Sequence, residues 1–366
     1  MTSSQSTSPP STSRQSTDAE AKGFEEALRK LLSTGYDAVS ARAAEGGWPA
    51  GLWDSLAAMG VPWLGIPEEL GGSGGGVAEI VLAVRVAAEY AVPLPVAETA
   101  LLAGWALAAA GIDVPEGAAL ACAIEPLRGR ELADELVVTG VAENIGWAAH
   151  CEYIVGTCEL DGSHRVLLLR TADARIESGA NIAGETRDRL SFDGARPVAV
   201  AVARADLADL LLARGAAARS IAISGAAERV VELCVEHAKT RQQFGRPIGA
   251  FQAVAHLLAR IAGASVAAQG AARLAVQALR DDDVSTAGAA KTVASEAAGT
   301  VAELAHQVHG AIGMTREHDL HRYTRRLWAW RDEYGSGRYW ARRIGAELTS
   351  GADAAGDPWH DLVRAR

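Results

Sequence analysis

The chain has 366 residues, 49% of them hydrophobic, with a formal net charge of −10 and a pI near 5.5. That is ample material for a large core in two or three structural units, and the acid surplus leaves no domain-wide basic face for nucleic acid. Cys122, Cys151, Cys158 and Cys234 form no CxxC pair and no zinc spacing, so they read as buried or free thiols of a reducing cytosol.

Residues 1–22 are rich in Ser, Thr and Pro. They lack the apolar centre of a signal peptide and are expected to be a disordered tail, with the protein cytoplasmic. A helical domain is expected over 23–116. Leu28, Leu31 and Leu32 make one apolar stripe, and Leu52, Leu56 and Met59 make another at helical spacing. The run VLAVRVAA contains Arg85 and is far too short to span a bilayer. GIPEELGGSGGG, Gly65 to Gly76, reads as a connecting loop. A dinucleotide-binding glycine loop needs a preceding strand within a βαβ unit, and none precedes it.

Over 117–204 the pattern changes to short β-branched or apolar runs, LVVTG, EYIVGTCEL, HRVLLLRT and RPVAVAVA. These predict antiparallel strands of a sandwich or barrel. Helix returns over 205–350. Ile223, Ala227, Val230 and Cys234 share one face, and Leu257, Ile261, Ala264 and Ala268 share another. The abundance of small residues predicts closely packed, near-parallel helices, as in a four-helix bundle. Residues 351–366 are expected to be a C-terminal tail. No short-period repeat is present.

Two stretches carry chemistry. In TRQQFGRPIGAFQ, Thr240 to Gln252, a helix end leads through a Gly-Arg-Pro turn into a new helix. Arg241 can clamp a diphosphate with two parallel N–H groups, Phe244 can cover an aromatic ring and Gln252 can bond polar edges. Taken alone, it reads more readily as a helix connection with a solvated arginine. In QVHGAIGMTREHDLHRYTRR, Gln307 to Arg326, Gly310, Ala311 and Gly313 allow a backbone or ligand to approach closely. His318 and His321 stand one turn apart, but no third ligand follows at a recognised spacing, and no metal is expected.

Together these two motifs resemble the acyl-CoA dehydrogenase family. So do the helix–β–helix order, the GIPEELGG loop and VPLPVAETALLAG. The resemblance implies a mostly α fold with a β middle domain: an N-terminal helical domain, a β-sandwich or barrel, and a C-terminal four-helix bundle. It implies FAD as cofactor, an acyl-CoA thioester as substrate dehydrogenated between Cα and Cβ, and an electron-transferring flavoprotein as acceptor. By the same resemblance Arg241 contacts the FAD diphosphate across a subunit interface, with Phe244 and Gln252 near it. Gln307, Gly310 and Ala311 match the segment that receives the adenine end. No membrane or nucleic-acid partner is implied.

The chain departs from the family in two places. The position of the glutamate base falls on Tyr334 in WRDEYGSG, and a phenol is a poor base near neutral pH. Asp332 and Glu333 are adjacent, but one residue turns a helical side chain by roughly 100°. The alternative base position of some relatives falls on Ala218, before Arg219, so the catalytic base is unknown. In the β-domain, the loop that lies over the flavin in the family is reduced to AIEPLRGREL around Glu125 and Pro126. The tryptophan strand becomes ENIGWAAHC, with Trp147 in another register. Three readings stay open. One is the companion subunit of an α2β2 dehydrogenase, completing the FAD site of a paralogous catalytic subunit. The second is a self-sufficient homotetramer with a displaced base, and the third a non-enzymatic flavoprotein-like binding subunit. By analogy, the substrate could be a bulky ring-bearing acyl chain.

Overall fold

A computed structural model describes residues 12–35, 47–132 and 135–350. The first helix, α1 (Thr12–Gly35), begins inside the stretch expected to be a disordered tail. The correction has a local cause: from Arg14 onward the prolines stop, and charged and alanine-rich sequence with good helix propensity follows. Residues 1–11 and the C-terminal tail lie outside the described residues. Helices α2 (Ala50–Ala58) and α3 (Val77–Glu89) follow. Leu28, Leu32, Leu52, Leu56 and Ile80 are buried. Arg29 joins Glu25 and Glu89, and Arg85 joins Glu25 at 3.0 Å and Glu89, so α1 and α3 are laced along a partly exposed seam.

The glycine-rich loop packs rather than cradles. Gly71 has φ +82°, and a Cβ there would lie 2.5 Å from the Val114 carbonyl oxygen. The loop then enters α3, where the Gly76 amide donates to the Glu79 carboxylate at 2.9 Å. Further on, a buried π-helical segment, Glu98–Gly104, runs into α4 (Trp105–Ala109). Such widened turns occur often at functional sites. Thr99 within it accepts from the Leu120 amide at 3.3 Å and donates to the Leu120 carbonyl at 3.0 Å, pinning the start of the sheet.

The middle of the chain forms one sheet in the order β6-β7-β3-β2-β4-β5-β8, with β1 also on β4. Its strands are β1 (Leu120–Cys122), β2 (Leu127–Leu132), β3 (Glu135–Gly146), β4 (Tyr153–Leu160), β5 (Ser163–Arg170), β6 (Ala174–Glu177), β7 (Arg187–Ala195) and β8 (Ala199–Val202). The expectation of purely antiparallel pairing needs correction. β1 and β2 both pair parallel to β4, β1 against Tyr153–Val155 and β2 against Cys158–Glu159. They follow one another along a single edge of β4 because Thr99 fixes β1 and the chain only jogs between them, without turning back.

The C-terminal bundle consists of α5 (Leu207–Thr240), α6 (Gln252–Asp281), α7 (Val284–His309), α8 (Leu320–Trp330) and α9 (Gly337–Ser350). Helix α5 is long and apolar enough to cross a membrane, but 94% of its most apolar window is buried inside the protein. It is the central rod of the bundle. Small residues set the helix spacing: a Cβ on Gly288 would come within 2.4 Å of the Trp340 ring, which is fully buried in that notch.

Lys291 is fully buried in α7. Its ammonium donates to the Arg331 carbonyl at 2.6 Å, just past the end of α8, and to Ser295 Oγ at 3.2 Å. Burial pushes its pKa down to about 7. The folded chain therefore binds fewer protons at Lys291 than the unfolded chain between pH 7 and the ordinary lysine value of about 10.4, and stability rises with pH across that window. Lys291→Met is expected to stabilise the protein at pH 7 by about 1–3 kcal/mol, with the advantage shrinking towards pH 10. Ser295 still donates to the Arg331 carbonyl at 3.0 Å. Denaturant unfolding of both proteins at pH 7 and pH 10 checks this; a destabilised variant at pH 7 contradicts it.

Candidate functional site

Two clusters answer to the residues singled out in the sequence. The first lies at the end of the bundle where α5 stops, α6 starts and α7 stops. Arg241 follows the last residue of α5 in extended conformation. Gln242–Gln243 and Arg246–Pro247 pair as a minimal hairpin, closed by Phe244 (φ +50°) and Gly245 (φ +78°). Two left-handed residues make a tight hairpin turn, and a phenylalanine in that conformation is uncommon. Phe244 is 91% exposed, with only its edge against Phe251. A bulky aromatic held out in a strained turn is a feature expected of binding sites.

Gly310 ends α7 with φ +63° and ψ −142°, a conformation essentially restricted to glycine. A cleft of about 540 Å³ is lined by His237, Thr240, Arg241, His309, Ala311 and Ile312. The fold thus brings Arg241 and Ala311 into one cleft. Phe244, Gln252, Gln307 and Gly310 are exposed at the same end of the bundle but outside its lining. Among the described residues Arg241 makes no ion pair. A free guanidinium, an exposed aromatic ring and a cleft fit a dinucleotide's diphosphate and flat base.

The second cluster is interior, between the sheet, the π segment, α5 and the end of α8. Glu333 accepts from Arg219 Nε at 2.7 Å, Arg187 Nε at 2.9 Å and Asn181 Nδ2 at 2.8 Å. Arg219 also bonds Glu98. Glu185 accepts from Arg326 Nε and Trp330 Nε1, each at 3.0 Å, and pairs with Arg187 at 3.2 Å. Three carboxylates therefore meet three guanidiniums. Burial alone would raise the Glu333 carboxyl, but Arg187 and Arg219 more than offset it and hold the group well below the usual carboxylate range. Glu185 is lowered in the same way, burial being outweighed by Arg326 and Arg187. Tyr334 is pushed up by burial, and Arg219 lies 5.2 Å from its ring centre.

Trp147 is 3% exposed, turned inward with φ +52° beneath the Arg187 guanidinium at 5.1 Å. Beside this network the cavity bounded by Val84, Val92, Glu98, Trp147, Arg219 and Trp330 measures only about 30 Å³. That is the space of one water, against roughly 300–1,000 Å³ for a small-molecule pocket. A wider cleft of about 900 Å³ opens between Glu125, Asn144 and Arg187 on the sheet side and Asp332, Glu333 and Tyr334 on the bundle side, so the clamped Glu333 lines it.

Of the candidate positions, Glu333 is clamped, Tyr334 is a half-buried phenol whose pKa is pushed up, Asp332 is exposed and pairs with Arg331 at 3.2 Å, and Ala218 is buried. Sequence reasoning missed Glu98, Glu185 and Arg187. Glu98 had a signal, being the one charge in VPLPVAETALLAG. Glu185 and Arg187 had none, since GETRDR reads as an exposed charged turn. Among the described residues, His321 does not join His318 in a group of potential ligands. The His321 ring instead contacts the His318 carbonyl at 2.7 Å.

Comparison with known proteins adds a frame. Residues 206–347 match the C-terminal domain model of acyl-CoA dehydrogenases, and residues 18–114 match the N-terminal domain model. The chain is 33% identical over 319 residues to the acyl-CoA dehydrogenase IpdE2 of Mycobacterium tuberculosis, covering 84% of this chain and 90% of that protein. Its fold is similar to a chain of the ChsE4-ChsE5 complex from the same organism, with TM-score 0.82, 25% identity and coverage of 90% and 97%. It also matches the Tcur3481-Tcur3483 steroid ACAD, with TM-score 0.83, 22% identity and coverage of 92% and 99%, a likeness of fold.

Proposed function

Since the chain belongs to the acyl-CoA dehydrogenase family, whose members bind FAD, we propose that it is the companion subunit of a hetero-oligomeric acyl-CoA dehydrogenase. In this reading it completes the FAD site of a paralogous subunit that carries the base. The observation that carries the proposal is Glu333, the carboxylate next to the position of the family's base, locked between Arg187 and Arg219. The free Arg241 supports the same reading, as does the likeness to a chain of a two-component complex.

When bound, FAD supplies the acceptor for the hydride that leaves Cβ. In the proposed assembly, Arg241 neutralises diphosphate charge with a planar fork of donors. Phe244 covers a flat ring, and Gly310 and Ala311 let the adenine end approach the backbone. The Cα proton requires a carboxylate that is not already held by cations, so the partner provides it. Inside this chain the paired charges exclude substrate from the space between α5 and the π segment. The proposed acceptor of the electrons is an electron-transferring flavoprotein.

The test is flavin content. The chain purified alone is expected to carry next to no FAD and to show no flavin bleaching with straight-chain or ring-bearing acyl-CoA. Co-purified with a paralogous subunit, it is expected to yield a flavin-loaded complex that turns over. A full flavin complement in the isolated chain contradicts the proposal. Flavin-free complexes with every paralogue would favour a purely binding role.

A substitution separates this reading from a self-sufficient enzyme. Glu333→Gln in the assembled protein is expected to keep kcat within about twofold, whereas loss of a general base costs about 10²–10⁴-fold. A loss of that size in a folded, flavin-loaded variant would restore Glu333 as the base.

A further inference from the structure

The end of the bundle holds a group of side chains that the proposed FAD contacts do not use. His237 on the last turn of α5, His309 at the end of α7 and His318 just before α8 converge. One ring nitrogen from each lies within 4.8 Å of the other two. His237 and His309 stack at 4.4 Å, and His318 stands edge-on to His309 at 4.6 Å. They come from positions 237, 309 and 318, so no linear ligand spacing announces them.

His309 is the centre of the group. It is 5% exposed, and its Nδ1 lies 2.9 Å from the Ala305 carbonyl oxygen. A carbonyl only accepts, so Nδ1 carries the proton and Nε2 is left with its lone pair. That Nε2 is buried and has no hydrogen-bond partner. A histidine whose one nitrogen is protonated against a backbone carbonyl while the other waits unpaired has the outer-shell arrangement of a metal ligand. We propose that His237, His309 and His318 form a binding site for a divalent transition-metal ion, of which zinc is the natural occupant.

An all-imidazole donor set suits zinc, copper, nickel and cobalt, and excludes the oxygen-seeking calcium and magnesium. Zinc–nitrogen bonds of about 2.1 Å in tetrahedral geometry put ligand atoms roughly 3.4 Å apart, so nitrogens within 4.8 Å of one another need to close by up to about 1.4 Å. The fourth position opens into the cleft that also holds Arg241, where water or an anion completes the shell. One contact competes. The Leu320 amide donates to His318 Nδ1 at 3.1 Å. Whichever ring nitrogen His318 uses, that hydrogen bond is exchanged for the ion.

Cobalt(II) titration of the tag-free full-length chain, without flavin or acyl-CoA, tests the proposal independently of the flavin reading. The expected result is one ion per chain with the intense visible bands of four-coordinate cobalt, displaced by zinc. His237→Gln and His318→Gln are each expected to weaken binding by more than about 10–100-fold, the range for losing an outer-shell partner alone. Both side chains are only half-buried, so the apo variants are expected to melt like the parent, which keeps the comparison valid. Failure to bind cobalt or zinc stoichiometrically would overturn the proposal. So would binding that both substitutions leave unchanged.

Discussion

Arg241→Ala in the assembled protein is expected to weaken FAD retention about a hundredfold, the equivalent of roughly 2–3 kcal/mol for a lost charge-assisted contact. The side chain stands at the helix exit, exposed and without an ion pair among the described residues. Its removal therefore costs the fold little, within about 0.5 kcal/mol. Binding and stability separate cleanly. Arg241→Lys keeps the charge but loses the planar fork, so partial recovery is expected, with a steeper dependence on salt. Equilibrium titration of apo-protein with FAD, followed by flavin fluorescence, measures the effect. Unchanged affinity in Arg241→Ala would remove this end of the bundle from the cofactor site.

Arg219→Met is expected to destabilise the chain by about 3–5 kcal/mol, because it leaves buried carboxylates short of a cation. Glu98 is 3% exposed and loses its guanidinium partner; Glu333 keeps only Arg187 as a cation. The double variant Arg219→Met/Glu98→Leu removes the charge together with its partner and is expected to recover most of the loss, since replacing a whole buried pair is often neutral or stabilising. The pH profile carries a second signature. Glu333 and Glu185 have folded pKa values below their unfolded ones, so their contribution is complete above about pH 4.3 and is lost as pH falls through the folded values. With Arg219 gone, Glu333 is held down less firmly and the acid limb should flatten. Urea unfolding between pH 3 and pH 7 reads both effects. A loss below about 1 kcal/mol in Arg219→Met would mean the network is not an energetic unit.

Much of the proposed cofactor-binding end is legible along the chain. Arg241, Phe244 and Gln252 sit within one short segment, and Gln307 to Ala311 within another. Local turn chemistry marks both: glycine where φ must be positive, and proline where a helix cannot continue. The interior site is not legible in that way. Glu185 and Arg187 lie in a run of charges that reads as solvated, yet in the fold Glu185 is 3% exposed and ties α8 to the sheet through Arg326 and Trp330. The parallel placement of β1 and β2 on β4 is hidden for a related reason, because strand runs reveal their period but not their neighbours.

The order of helical, β and helical regions, the bundle of small-residue helices and the family all follow from the residues alone. Each depends on periodicity, turn residues and motifs confined to a few tens of neighbouring residues. What the interior charges and histidines do follows instead from long-range packing. Glu98 meets Arg219 across 121 positions of chain, and Arg219 meets Glu333 across 114. Whether a carboxylate is a base or half of an ion pair depends on which cations the fold sets within roughly 3 Å of it and on how much water it keeps. Neither is written in the residue or in its neighbours along the chain.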